Sequence, residues 1–397
     1  MERHRIVKIQ IAAVETTFGR MVGRNSKGEN YGINQREWLV QATTDSGLMG
    51  LTNARPAMNS GSVQRLAGIL GELLGRDLFE FHRLSGGLVT GVPPRWSQYL
   101  LENGFVSYLL FDLMGKALGT PAYGLLGSQV RARIEAYDST LYFQDLVRPD
   151  EGAGAVASDA AEAVRKGWQA VKIKLGRPGR WFEPNAGMHR DVEVVLRTRE
   201  AVGDRVKILV DANNGYDGKP ALLEAFVRET ASARIFWMEE MITEDLGGYR
   251  RLRDWRDRHT PSTMLVDGEG HQGRNPIYWK LMEEGLLDAI QPDMLHMGFW
   301  PYWQLALEIR DSGFNTKIAP HNFNAAATGL RGVIQFGAAC PAFVIAEDST
   351  LAFDLYRVAG GFEGGSYLVT QAPGLGVEVD PEVYRRRHAA TETVLHA

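Results

Sequence analysis

From Gly127 onward the chain alternates short β-rich runs with amphipathic helical windows, and this alternation constrains its fold more than any other feature. The runs are Arg133–Tyr137, Ala170–Leu175, Val206–Val210, Ile235–Met238, Thr263–Val266, Ala289–Gln291, Thr316–Ala319 and Ala342–Ile345. Between them lie helical windows at Val156–Lys166, Asp191–Val202, Pro220–Thr230, Gly247–His259, Asn275–Glu284, Trp300–Asp311 and Thr328–Cys340. Eight strands and seven intervening helices predict a modified TIM barrel, (β/α)7β. Runs without clean alternation fit strands covered on their outer face by helices. A doubly wound open sheet would need a GxGxxG after an early strand, and none is present. The first 125 residues or so read differently. β-rich stretches at Ile6–Val14 and Trp38–Thr44 precede helical windows at 61–80, 84–95 and 96–116, the pattern of a separate α+β layer. The tail from Tyr356 is rich in glycine and proline, with one candidate strand at Ser366–Thr370.

Charge and cysteine content narrow the functional classes. With 44 Lys and Arg against 48 Asp and Glu, the chain carries no basic surplus to suggest nucleic-acid binding. No run of about 18 apolar residues offers a membrane span. The opening MERHRIVKIQIAAVETTF is unlike a signal peptide, so a cytoplasmic protein is expected. A single cysteine, Cys340, permits neither an internal disulfide nor a thiolate metal cluster. It lies in an apolar run and reads as a core thiol.

In a barrel, chemistry sits at the C-terminal ends of the strands, and here nearly every strand ends in polar residues. Asp211, Glu239 and Glu269 follow three consecutive strands at intervals of 28 and 30 residues, one βα unit per step. Three converging carboxylates with no thiolate form a hard oxygen site suited to Mg2+, with Mn2+ possible on the same chemistry. Spacing alone leaves Glu240 open against Glu239, and Asp267 open against Glu269. Lys172 and Lys174 share one face of a strand, and adjacent ammonium groups depress each other's pKa towards the range of a general base. His321 follows the seventh strand and Asp293 the sixth, an arrangement in which a carboxylate holds an imidazole's tautomer. Glu347, after the eighth strand, is a candidate partner for a developing oxyanion. Together these residues suit removal of a proton α to a carboxylate, with a metal taking up the charge of the enediolate.

The motifs LLFDLMGKALGTPAYGLLG (109–127), AYDS (136–139), VKIKLG (171–176), LVDANNGYD (209–217), WMEE (237–240), DGEG (267–270), QPD (291–293) and APHN (319–322) resemble those of the enolase superfamily. The resemblance is specifically to the mandelate racemase and muconate lactonising group. It implies an α+β capping domain (1–128), a (β/α)7β catalytic barrel (129–355) and a C-terminal segment (356–397) returning to the cap. It implies metal ligation by Asp211, Glu239 and Glu269, with Lys174 as base, Lys172 as its partner, His321–Asp293 as the opposite base and Glu347 on the substrate carboxylate. Ser139 and Asn213 become substrate-contacting candidates. Two cap loops, roughly 16–30 and 50–60, set substrate choice in the family, and here they carry Arg20, Arg24, Asn53 and Arg55. The 36 residues between Lys174 and Asp211 include an insert with Arg177, Arg180, Trp181, His189 and Arg190, of which His189 joins the substrate candidates. WMEEMITED lacks the family's usual proline, and His271 follows DGEG. The implied activity is dehydration of a sugar acid to a 2-keto-3-deoxy acid. Racemisation, epimerisation or lactone formation by the same residues are the alternatives. The implied partners are a small carboxylate substrate and further copies of the chain.

Overall fold

The computed structural model describes residues 2–28, 30–55, 61–270, 275–352 and 354–397. The amino-terminal layer is an antiparallel sheet of β1 (Ile6–Val22), β2 (Gly32–Thr44) and β3 (Met49–Ala54). It is followed by α1 (Ser62–Gly71), a hairpin of β4 (Arg83–Ser85) and β5 (Leu88–Gly91), α2 (Pro94–Glu102) and α3 (Gly104–Leu118). The hairpin corrects the helix expected over 84–95. Gly86 and Gly87 take φ 59° and 84°, the left-handed conformation that a tight hairpin turn requires, and it overrides the helical spacing of the apolar residues. The window 96–116 likewise divides at Asn103, which ends α2 and precedes α3.

Eight parallel strands follow: β6 (Arg133–Leu141), β7 (Ala170–Lys174), β8 (Lys207–Asp211), β9 (Trp237–Glu239), β10 (Met264–Asp267), β11 (Ala289–Ile290), β12 (Lys317–Ile318) and β13 (Ala346–Asp348). Each pairs with the next from β6 to β12, and β13 pairs with β6. A parallel bridge from Ile318 to Phe343 closes the ring, so the sheet is a barrel and no doubly wound layer. The connecting helices are α4 (Gln144–Val147) and α5 (Gly154–Arg165), α6 (Pro184–Val202), α7 (Pro220–Glu229), α8 (Leu246–His259), α9 (Pro276–Glu283), α10 (Met294–Met297) and α11 (Phe299–Asp311), and α12 (Ala326–Ala339). Several start on explicit signals. Proline opens α6, α7 and α9, and the Asp245 and Asn275 side chains accept from Gly248 and Ile277 amides at 2.8 and 3.2 Å. The last strand begins four residues later than its apolar run, because Ala342–Val344 is spent on the bridge to β12.

The inside of the ring is filled by one residue from each of the eight strands or its flank: Tyr137, Ala170, Leu209, Trp237, Val266, Ala289, Ala319 and Ile345. Side chains alternate in a strand, so positions two further on return to the interior one layer nearer the C-terminal mouth. Those positions include Lys172, Asp211, Glu239, His321 and Glu347. The chain then crosses back. Leu351–Ala352 pairs with β1, Ser366–Leu368 with β6, and Thr393–His396 with β1 again. No described helix is long and apolar enough to cross a membrane.

Candidate active site

The layering selects between the paired acids. Glu239 is two residues beyond the interior Trp237, whereas Asp267 is next to the interior Val266 and so faces outward. Asp267 is buried between α8 and α9, bonded to the Tyr249 hydroxyl and accepting from the Tyr278 hydroxyl at 3.2 Å. Glu269, beyond the strand end, turns back to the mouth. Oxygens of Asp211, Glu239 and Glu269 all lie within 4.8 Å of one another.

Around this triad the charges interlock. Lys172 Nζ lies 2.9 Å from Glu239 Oε1, 3.0 Å from Glu347 Oε1 and 3.6 Å from Asp211 Oδ2. Lys174 is paired with Asp211. His321 Nδ1 is 2.6 Å from Asp293 Oδ1, which leaves Nε2 facing inward, 3.3 Å from Glu269 Oε1 and 3.7 Å from Glu347 Oε2. Lys174 therefore approaches the triad on its Asp211 side and His321 on its Glu269 side.

Burial and charge compete at each group. Burial works to lower the His321 pKa, but the charges of Glu269, Asp293 and Glu347 outweigh it and carry the imidazole up to about 10. Lys174 is also raised: burial and Lys172 lower it, yet Asp211, Tyr142 and Glu269 prevail. The depression expected from Lys172 is thus present at Lys174 but is outweighed by the surrounding groups. Glu239 is pushed well up by burial and by Asp211 and Glu347, against the pull of Lys172. A buried cluster in which one carboxylate resists ionisation is short of positive charge. The Oε2 atoms of Glu239 and Glu269 are buried and have no hydrogen-bond partner. Three converging carboxylates, two of which carry an orphaned oxygen, fit a divalent cation.

The remaining candidates divide. Arg55 reaches the mouth: its Nη1 donates to the Phe323 carbonyl at 2.8 Å, and it feels the charges of Asp293 and Glu347. Asn213 lies beside the triad, its Nδ2 donating to Glu240 Oε2 at 2.8 Å. Others are engaged elsewhere. Arg20 is held by Asp138 at 2.6 Å and Thr140 at 2.8 Å. Asn53 bonds Glu37, Tyr356 and Thr328 beneath the mouth, and Ser139 Oγ donates to the Asp348 carbonyl at 3.1 Å. Arg24 lies over the Trp181 ring at 4.6 Å. His189 is exposed on α6, so the insert is largely the first turns of a helix. Arg177 is fully buried on Asp145 and Asp191, which makes it architectural. His271 and the loop residues 56–60 lie outside the described residues. Sequence reasoning passed over Lys27, whose Nζ reaches Glu240 Oε2 at 3.2 Å. Its only signal was its place in the cap loop.

Residues 155–383 match the family described as Enolase C-terminal domain-like. The chain is 27% identical over 361 residues to the D-galactarolactone cycloisomerase of Agrobacterium fabrum, a match spanning 86% of this chain and 88% of that protein. It is also 27% identical to the L-rhamnonate dehydratase of Saccharopolyspora erythraea, over 77% of this chain and 76% of that one. Among solved structures, the galacturonate dehydratase of a Geobacillus species, complexed with D-galacturonate and 5-keto-4-deoxy-D-galacturonate, superposes with a TM-score of 0.82. That match is 25% identical and covers 98% of each chain. The N-succinyl Arg/Lys racemase of Bacillus cereus, at 17% identity and a TM-score of 0.75, shares the fold.

Proposed function

Since this chain belongs to the mandelate racemase/muconate lactonizing enzyme family of the enolase superfamily, we propose that it is a Mg2+-dependent dehydratase of sugar acids. The observation that carries the reading is the interior layer itself: an acidic triad flanked by Lys174 on one side and the His321–Asp293 pair on the other. Asp211, Glu239 and Glu269 would hold the metal, which supplies a Lewis acid for the substrate carboxylate and offsets the acids that raise both bases. Lys172, already between Glu239 and Glu347, is placed to bind a carboxylate oxygen. Lys174 Nζ or His321 Nε2 removes the α-proton. As imidazolium, His321 gives its proton from Nε2 to the departing β-hydroxyl, which leaves as water. Asp293 keeps Nδ1 occupied, so transfer is confined to Nε2.

The same placement of two bases supports a second reading, epimerisation by proton removal on one face and return on the other. Incubation with Mg2+ and a panel of sugar acids separates them. A 2-keto-3-deoxy product lost on replacing Lys174 or His321 is the expected result. Solvent deuterium at the α-carbon with inversion and no loss of water would assign the epimerase instead. A homo-oligomer in the cytoplasm belongs to the same proposal, with sedimentation velocity as the test of assembly. The family resemblance supports it.

A further inference from the structure

Besides Arg55, the charged side chain of Lys27 reaches the mouth from the amino-terminal layer without belonging to the triad, the bases or their partners. Lys27 Nζ meets Glu240 Oε2 at 3.2 Å, joining residues 213 apart in the chain. Its main chain is pinned by the barrel. The Lys27 carbonyl accepts from Arg180 Nη1 at 2.7 Å, and the Asn25 carbonyl accepts from Trp181 Nε1 at 2.6 Å. Ser26 Oγ lies 2.8 Å from the Ala212 carbonyl and 2.9 Å from that of Asn213. Asn25 Oδ1 accepts from the Lys27 and Gly28 amides at 3.0 and 2.6 Å, setting the bend between them. The Lys27 side chain is 54% exposed, while that of Glu240 is 5% exposed.

Glu240 has φ 43°, a left-handed conformation that costs free energy in a residue with a side chain. In that conformation its carboxylate meets Lys27 and Asn213 beside the triad. Asn213 Oδ1, next to it, is buried without a partner. The ammonium retains donors and the carboxylate retains lone pairs beyond the bond they share.

We infer that Lys27 and Glu240 form a hydroxyl-reading subsite that selects the polyol tail of a sugar monoacid over a second carboxylate. A hydroxyl both donates and accepts, so neighbouring hydroxyls can span the pair, each taking a bond from Nζ and giving one to Oε. The charges of the pair cancel, so the pair itself offers a second carboxylate no net attraction. The inference deepens the sugar-acid reading and rests on it.

Calorimetric titration with Mg2+ present, using six-carbon aldonates, the matching aldarates and glycerate, tests it. Glycerate keeps the α-hydrogen and β-hydroxyl but has no tail. The aldonates should bind at least tenfold tighter than either comparison, the scale of a charge-assisted hydrogen bond. Lys27→Met should cut the aldonate-to-glycerate ratio about tenfold and Lys27→Arg should restore part of it, with Tm reporting that each variant is folded. An aldarate preference that Lys27→Met abolishes, or an unchanged ratio, would overturn the inference. Absence of α-proton exchange with every acid would overturn the proposed reaction instead, and the binding ratios would still decide Lys27.

Discussion

His82 is buried in the amino-terminal layer with neither ring nitrogen hydrogen-bonded, its ring edge-on to Phe111. Burial depresses its pKa from 6.5 to about 3, so the folded state holds it neutral where the unfolded chain would protonate it. The unfolded state binds more protons in that window, and stability is therefore complete above pH 6.5 and lost as pH falls towards 3. His82→Leu is expected to flatten the acid limb of a Tm-against-pH curve. At the mouth, Asp293→Asn keeps the shape of the His321 partner but removes its charge. A loss in kcat of about 10³–10⁴-fold is expected, as when an orienting carboxylate is neutralised in a catalytic triad, with little change in thermal stability. Five of the seven described left-handed residues other than glycine cluster at the same strand ends: Asn213 and Asn214, Glu240, Asn324 and Thr350. Strain there places side chains where regular strands would not.

Between elements, Arg177 ties the loops after three strands together. Its Nε and Nη2 reach Asp145 at 2.9 and 2.6 Å, its Nη1 reaches Asp191 at 2.8 Å, and Tyr216 bonds Asp191 at 2.9 Å. It also donates to the Lys174 carbonyl at 3.3 Å. Arg177→Met would leave buried Asp191 without its cation and buried Asp145 with only Arg190 at 3.5 Å, and a loss of about 3–5 kcal/mol is expected in urea denaturation. The element-level record of the sequence is uneven for physical reasons. The βα units were legible because burial under helices leaves apolar runs bounded by turn residues. The 84–95 hairpin was not, since two adjacent glycines decided it against the spacing of its neighbours. The helical window after Lys174 reads from Asp191, while Pro184 and the Glu183 cap start the 19-residue helix seven residues earlier.

At the scale of the whole molecule, cation binding and folding are linked through the triad. Mg2+ that binds only the folded chain should raise Tm with concentration, by the equivalent of about 2.7 kcal/mol at 100 times its Kd. Chelation should abolish turnover, and Asp211→Asn should remove the Mg2+-dependent rise in differential scanning calorimetry. The convergence of the candidate residues was largely legible in the chain, because a barrel brings successive strand ends together and so converts a spacing of one βα unit into a meeting of side chains. Lys172, Lys174, Asp211, Glu239, Glu269, Asp293, His321 and Glu347 do meet. Arg20, Asn53, Ser139 and His189 do not join them, since polar type and loop membership say nothing of which partner a side chain finds. The sequence by itself determined the order of the units and the chemical kinds of residue at their ends, because periodicity and spacing are properties of the chain. Only the tertiary structure decided that Glu239 faces in and Asp267 out, and that Lys27 comes to rest on Glu240. Those outcomes depend on strand parity within a closed ring and on contacts between segments far apart in the chain, which no local pattern encodes.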